Sequence, residues 1–282
     1  MRNLNSYIIT ACIICFTASS HAQNYNSKKK HHNIRLGVEA GTDFFFGDPR
    51  KPDMVRENKS SFYEFNDNNY YCGLILDYQN MNVSYLGIKP EVFFCKNRLG
   101  ISTGLRVSKY SSALESDRDY FLWLLHQDDI NTEYVKINKI TQNSYYLGLP
   151  LEVRFFPNRR ELPAQFYLKV GSTFNYRMNT NNKIVFQNQS MESNTESIDN
   201  HVDDSVPDFN AYMFFAMGIK IGKFKEARKF PYINIEIHAL NIMLTDNASS
   251  FIRTNAGLGF QVSAQIPIGK SAPIGSRYLL NN

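Results

Sequence analysis

Few side chains in this chain of 282 residues stand where they could do covalent chemistry. His238 is the first to consider, in the stretch His238-Ala239-Leu240-Asn241. A histidine can act as a general base, but acyl transfer also needs a nucleophile beside it, and this stretch offers no serine. An interior histidine hydrogen-bonded to neighbours such as Glu236 accounts for the residue without catalysis. Carboxylates gather in two polar segments, Glu115, Asp117, Asp119, Asp128 and Asp129 in one and Asp199, Asp203, Asp204 and Asp208 in the other. Oxygen ligands at that density could hold a hard cation such as calcium, yet their spacing matches no established loop, and acidic surface loops are usually just solvated. No cofactor and no metal is implied, and the chain is expected not to be an enzyme. The last candidate is apolar: Tyr120-Phe121-Leu122-Trp123-Leu124-Leu125 carries the single tryptophan inside an otherwise polar segment. Phe121, Trp123 and Leu124 are candidate contacts for a partner or for lipid, the alternatives being a cap on the scaffold or an extended strand hairpin.

The elements that must position these residues are strands. Over 252–268 the even positions run Ile252, Thr254, Ala256, Leu258, Phe260, Val262, Ala264, Ile266, Ile268, while the odd ones run Arg253, Asn255, Gly257, Gly259, Gln261, Ser263, Gln265. A period of two means successive side chains leave opposite sides of a pleat, one face apolar and the other polar. The same pattern predicts strands over 33–46, 83–96, 99–110, about 142–156, 163–178, 209–222 and 231–243. That makes eight, and their connections alternate in length, short after strands two, four and six and long after one, three and five. The short joins include a tight hairpin at Asn97-Arg98 and a turn at Pro157-Asn158-Arg159-Arg160. Residues 69–79 are the loosest part, either a continuation of strand two or an extra hairpin arm.

An even strand count with short turns on one side and long loops on the other predicts an all-β, eight-stranded antiparallel up-and-down transmembrane β-barrel with short periplasmic turns and long extracellular loops. A soluble lipid-binding barrel has the same strand number with its apolar face inside. The polar face decides between them: glycines at alternate positions are mixed there with charges of both signs, Arg35, Lys89, Arg106, Arg154, Lys169 and Lys220 with Glu39, Asp43, Glu91, Glu152, Glu236 and with His238. Such groups can pair inside a narrow barrel, whereas a solvated strand surface has no use for so much glycine. Aromatic residues also collect at strand ends, Phe44, Phe46, Tyr110, Tyr145, Phe174, Tyr176, Phe209 and Phe251 at one and Phe94, Phe155 and Phe230 at the other, as two interfacial girdles would.

Residues 1–22 read as a cleaved signal peptide: Arg2, a largely apolar stretch from Tyr7 to Ala18, and Ser20-His21-Ala22 at the cut. The alternative, a lipoprotein signal at Cys12, would leave Ile13, Ile14 and Phe16 in the mature N-terminus. The expected organisation is then a basic periplasmic segment over 23–32, the barrel over 33–268 and a tail over 269–282. About 260 mature residues suit one all-β domain. After residue 22 no apolar run reaches the about 18 residues of a transmembrane helix. Cys72 and Cys95, which remain of the four cysteines, are expected not to pair, because they fall toward opposite ends of a long segment and a bridge needs Cα atoms within about 7 Å. The formal net charge of +5 owes part of its excess to Lys28-Lys29-Lys30, and its cations are too scattered for a nucleic-acid stripe.

Two stretches carry a family likeness: Tyr85-Leu86-Gly87-Ile88-Lys89-Pro90-Glu91-Val92-Phe93-Phe94 and Tyr146-Leu147-Gly148-Leu149-Pro150-Leu151-Glu152-Val153-Arg154-Phe155-Phe156. The chain resembles in them the small outer-membrane β-barrels of the OmpX and PorT type from Gram-negative bacteria, over about residues 33–268. The resemblance implies an outer-membrane location and a structural, adhesive or secretion-associated role. Expected partners are outer-membrane lipid and other envelope or extracellular proteins met through the long loops. A lipid-modifying barrel enzyme is the alternative from another functional class. Barrels of this type often end on an aromatic residue, whereas this chain runs on past Ile268 to Asn282.

Overall fold

The alternating segments pair into a closed ladder. A computed structural model describes residues 33–50, 55–57, 79–95, 97–115, 122–127, 132–157, 163–186, 206–222, 231–245 and 248–268. Among them are eleven strands: β1 (Asn33–Pro49), β2 (Val55–Glu57), β3 (Gln79–Phe94), β4 (Leu99–Thr103), β5 (Leu105–Glu115), β6 (Leu122–Gln127), β7 (Thr132–Phe155), β8 (Ala164–Phe186), β9 (Phe209–Ile221), β10 (Tyr232–Met243) and β11 (Ile252–Pro267). β4 and β5 are one strand interrupted at Gly104. Counting them so, each strand of the ring pairs antiparallel with the next, from β1 through β3, β4/β5, β7, β8, β9 and β10 to β11, and β11 closes on β1. Eight strands in a closed ring leave no edge inside a membrane, where an unpaired backbone group has no water to bond.

The interruption at Gly104 has a chemical cause on both sides. Ser102 faces Glu91 and Leu105 faces Ile88, so Pro90 falls in the gap on β3. Thr103 faces Leu151 and Arg106 faces Gly148, so Pro150 falls in the gap on β7. Proline has no N–H to give the ladder.

Register sets the size of the ring. A walk across the strands from Glu39 passes Gly87, Arg106 and Gly148 and reaches Asn175 on β8. The opposite walk passes Ser263, Asn234 and Lys220 and reaches Gln165 on the same strand. The two arrivals are ten residues apart. Eight strands with that stagger tilt by about 40° and place the backbone on a radius of about 8 Å, which side chains alone can fill. Each residue then climbs about 2.5 Å along the axis, so ten residues cross the about 25 Å apolar band of an outer-membrane barrel.

The faces divide as the alternation predicts. Leu86 is 66% exposed and Ile237 58%, in line with Leu105, Val107, Leu149, Leu151, Ile219, Ile235, Leu258 and Phe260, all outward. The charged face is buried. A soluble carrier with its apolar face inward is therefore not what this chain forms. The fold is that of an outer-membrane β-barrel, with the short joins at the periplasmic end and the long ones outside.

Several expectations need correction. Residues 111–141 are not one loop: β5 runs to Glu115, β6 and the upper part of β7 are strands, and β6 pairs with both β7 and β2. β8 likewise continues to Phe186. At about 3.3 Å per residue, the 24 residues of β7 reach about 80 Å, far more than a tilted crossing uses, so these strands rise beyond the membrane as a wall. The phase of β11 also breaks. Phe46 pairs with Ala256 but Gly47 with Thr254, so Asn255 is an extra residue and the pleat above it is inverted. Ile252 consequently points inward, and Phe251, which precedes the strand, is buried as well; neither is on the outer face. Tyr110 is inward too, at an even position of β5 beside Arg106 and Ser108, and does not belong to the girdle. Phe44, Phe46, Tyr145, Phe174, Tyr176, Phe209 and Phe155 are exposed at the expected ends. Residues 1–32, 69–78 and 269–282, with Cys72, Phe121 and Phe230, lie outside the described residues, as do the acidic groups expected at Asp117, Asp119, Asp128, Asp129, Asp199, Asp203 and Asp204.

The first short turn holds Cys95 at φ 51° and Asn97 at φ 65°. Asparagine tolerates that left-handed conformation, whereas a cysteine there is strained by its Cβ. Cys95→Gly is expected to stabilise the barrel by about 1 kcal/mol. The urea midpoint at which the folded, fast-migrating gel form disappears measures this, and a lowered midpoint would contradict it.

Candidate functional site

The interior brings together all twelve polar residues singled out in the sequence. Arg35, Glu39, Asp43, Lys89, Glu91, Arg106, Glu152, Arg154, Lys169, Lys220, Glu236 and His238 are each at most 5% exposed. They lie in tiers along the axis.

At the periplasmic end two cations are packed among rings. The Arg35 guanidinium lies 4.2 Å from the centre of the Tyr232 ring and 5.1 Å from that of Phe93. Lys220 Nζ lies 4.2 Å from the Tyr232 ring, 5.2 Å from Phe156 and 5.4 Å from Phe93. Ring quadrupoles attract cations where little water is left to do so.

Above them four cations meet four carboxylates. Lys89 Nζ lies 2.5 Å from Glu39 Oε2 and 2.5 Å from Glu152 Oε2. Arg106 donates from Nε and Nη2 to Glu39 Oε1, at 2.9 and 2.7 Å, and from Nη2 to Glu152 Oε1 at 3.3 Å. Arg154 donates to Glu91 at 3.1 Å and to Glu236 at 3.0 Å. Lys169 bridges Glu152 and Glu236, and the Tyr167 hydroxyl donates to Glu236 at 2.7 Å. A lone charge here would be severely penalised by desolvation; a one-to-one set of hydrogen-bonded pairs is tolerated.

His238 does not reach Glu236. Its Nδ1 lies 2.7 Å from Asp43 Oδ1, and its ring stacks on Phe214 with centroids 4.7 Å apart. The Tyr212 hydroxyl donates to the other Asp43 oxygen at 3.2 Å and accepts from Arg106 Nη1 at 3.0 Å. Asp43 lies two strands from His238, on β1, beyond Gly259 of β11, so the partner is set by register and not by nearness along β10.

Glycine explains which partners meet. His238 faces Gly259, and Gly259 faces Asp43, so the pair spans a strand that has no side chain at that point. Glu39 faces Gly87, and Gly87 faces Arg106, in the same way. A Cβ on Gly87 would stand 2.8 Å from Glu39 Oε1 and 3.1 Å from the Leu105 carbonyl oxygen; one on Gly259 would collide with Asp43 Oδ1. Gly87 and Gly259 are the spaces through which these two pairs of side chains join.

The outer half of the interior is neutral, and its members were not singled out in the sequence. Asn175 Nδ2 donates to the Tyr110 hydroxyl at 3.0 Å and to Asn210 Oδ1 at 2.9 Å. Higher still, Ser112 and Gln142 meet Ser249 and Ser250 from the last loop, and Gln142 also donates to Asn182 Oδ1 at 3.2 Å. Their one sequence signal is an inward position in the alternation, shared with any polar residue. Trp123 and Leu124 belong to β6, where Trp123 faces Lys136 and Leu124 faces Val135 of β7. Among the described residues no group of three or more histidine, cysteine, aspartate or glutamate side chains is placed to hold a metal ion. Glu115 instead pairs with Lys139 at 2.7 Å and Asp208 with Arg177 at 2.7 Å.

No family model matches the chain, and no curated protein matches it either. Among solved structures it is similar to the outer membrane protein OprG from Pseudomonas aeruginosa, at 10% identity and a TM-score of 0.33, covering 84% of this chain and 95% of that one. It is similar also to the outer membrane protein AlkL, solved in lipid bilayers, at 10% identity and a TM-score of 0.33, covering 90% and 99%.

Gly87→Val is expected to destabilise the barrel by about 3–5 kcal/mol by parting Glu39 from Arg106, and Arg106→Met by a similar amount. Since both act on one contact, the double variant should lose clearly less than the two losses added. Urea titrations of the four proteins measure the coupling, and strict additivity would show that Gly87 does not serve this pair.

Proposed function

We propose that the chain is a non-enzymatic outer-membrane protein of the small-barrel type to which OmpX and PorT belong, closed to solutes, whose work is contact through its outer surface. The observation that carries this reading is the filled interior. Arg106, Asp43, Glu236, His238, Gln261 and Gln265 have no exposed surface at all. A lumen wide enough for water would leave them accessible, and a catalytic histidine must reach its substrate. Lipid lies on the far side of the wall from the ring of His238.

Contact then falls to the parts that leave the membrane: the wall formed by β2, β6 and the upper portions of β7 and β8 with its long connections. Loops on a rigid scaffold are the usual carriers of recognition. Trp123 and Leu124 lie on β6 of this wall and, with Phe121 next to it in sequence, are the proposed contacts; envelope or extracellular proteins are the proposed partners, with outer-membrane lipid around the belt. Export follows removal of residues 1–22, leaving a periplasmic segment over 23–32 and a tail over 269–282 flanking the barrel.

In planar bilayers the refolded protein is expected to give no stepwise conductance, and His238→Ala is expected to leave the lipid A composition of the host membrane unchanged. Regular unitary currents would refute the closed barrel. A changed acylation pattern in the His238 variant would favour the lipid-modifying enzyme instead.

A further inference from the structure

The loop between β10 and β11 turns into the barrel. Ala248, Ser249, Ser250, Phe251 and Ile252 are each at most 2% exposed, although 248–251 belong to no strand. Ala248 and Ile252 join a buried cluster with Phe45, Met81, Val83, Tyr110 and Tyr146. The segment starts on the β10–β11 side of the ring, yet its polar groups are held by the opposite wall. Ser249 Oγ lies 2.5 Å from Ser112 Oγ on β5. Gln142 on β7 grips from both ends of its amide: Nε2 donates to Ser250 Oγ at 2.9 Å, and Oε1 accepts from the Ser250 backbone N–H at 3.0 Å and from Ser249 Oγ at 3.3 Å.

We propose that residues 248–251 are a displaceable plug in the extracellular mouth and that Gln142 is its latch. Three features support movement of this piece and not of the barrel. Its ties across the mouth are neutral side-chain bonds, weaker than the charge-assisted bonds of the tiers below. The ladder of the ring begins at Ile252, opposite Pro49, so residues 248–251 can leave with every strand pair kept, giving up one backbone bond, from the Arg50 N–H to the Phe251 carbonyl oxygen at 2.7 Å. Directly beneath it the neutral tier holds Asn175 Oδ1 and Ser108 Oγ without hydrogen-bond partners. Water reaching these atoms in an open state compensates part of the apolar burial lost with Ala248 and Phe251. The opened barrel is a cup facing the exterior and not a pore, because the paired charges still fill the level of Glu39 and Arg106.

The test uses the full-length barrel refolded in lipid vesicles, with every native cysteine replaced by serine and Asn210→Cys as a reporter beneath the plug. The rate of labelling by a membrane-impermeant maleimide is read, and gel mobility before and after boiling verifies the fold of each protein. Adding Gln142→Ala is expected to raise the rate about tenfold, since two or three hydrogen bonds are lost. Adding Ser112→Cys with Ser249→Cys, oxidised to a disulfide, is expected to return the rate to that of the reporter alone. Should Asn210→Cys not fold, Ser108→Cys replaces it; should Gln142→Ala not fold, Ser249→Ala breaks the latch from the other side. Equal labelling with and without the latch, or a raised rate that the disulfide leaves unchanged, overturns the proposal.

Discussion

Everything in this barrel depends on neutralising charge inside a ring of about 8 Å radius. Lipid surrounds the wall, and packing leaves the lumen too full for water to solvate an ion. Each carboxylate must therefore find a cation within hydrogen-bond reach, and it must do so around a tilted cylinder on which facing positions are fixed by register. Long side chains can span one intervening strand only if that strand withholds its own. Gly87 and Gly259 do so for Glu39 with Arg106 and for His238 with Asp43. Other inward glycines make room for rings instead, Gly41 for Tyr85 and Gly218 for Tyr167, so the glycines together set aside the volume that the large interior side chains fill.

The solution changes along the axis with what each level needs. At mid-barrel, furthest from water at either end, four cations match four carboxylates. Toward the periplasm Arg35 and Lys220 rest among aromatic rings, which also close that end as apolar bulk. Toward the exterior charge gives way to amides, hydroxyls and a lid of apolar side chains. The gradient runs from strongly bound, directional contacts to exchangeable ones, so the outer mouth is the least firmly held part of the interior.

The architecture was legible because a period of two is a local signal and a membrane barrel imposes it on every strand at once. Outward Leu147, Leu149 and Leu151 and inward Gly148, Glu152 and Arg154 can be sorted from β7 alone. Partners could not be sorted that way, since pairing depends on register between strands far apart in sequence. His238 was assigned to Glu236, two residues off, when its partner lies 195 residues away on the other side of Gly259. The bulge at Asn255 was hidden for a related reason. Ile252 continues the apolar alternation of β11, and only the pairing of Gly47 with Thr254 reveals that the phase has flipped. The wall above the membrane escaped notice because its strands carry polar residues on the outer face, Asn143, Asn179, Asn181 and Lys183, which resemble loop composition.

That bulge connects the mouth to the rest of the molecule. Without the extra residue, β11 would keep Ile252 on the lipid side. With it, Ile252 turns inward beneath the loop, and the loop before it lies in the mouth, where Ser112 and Gln142 receive Ser249 and Ser250. A bulge near the rim of a sheet is a common way to re-aim side chains, and here it supplies the apolar floor on which the loop rests.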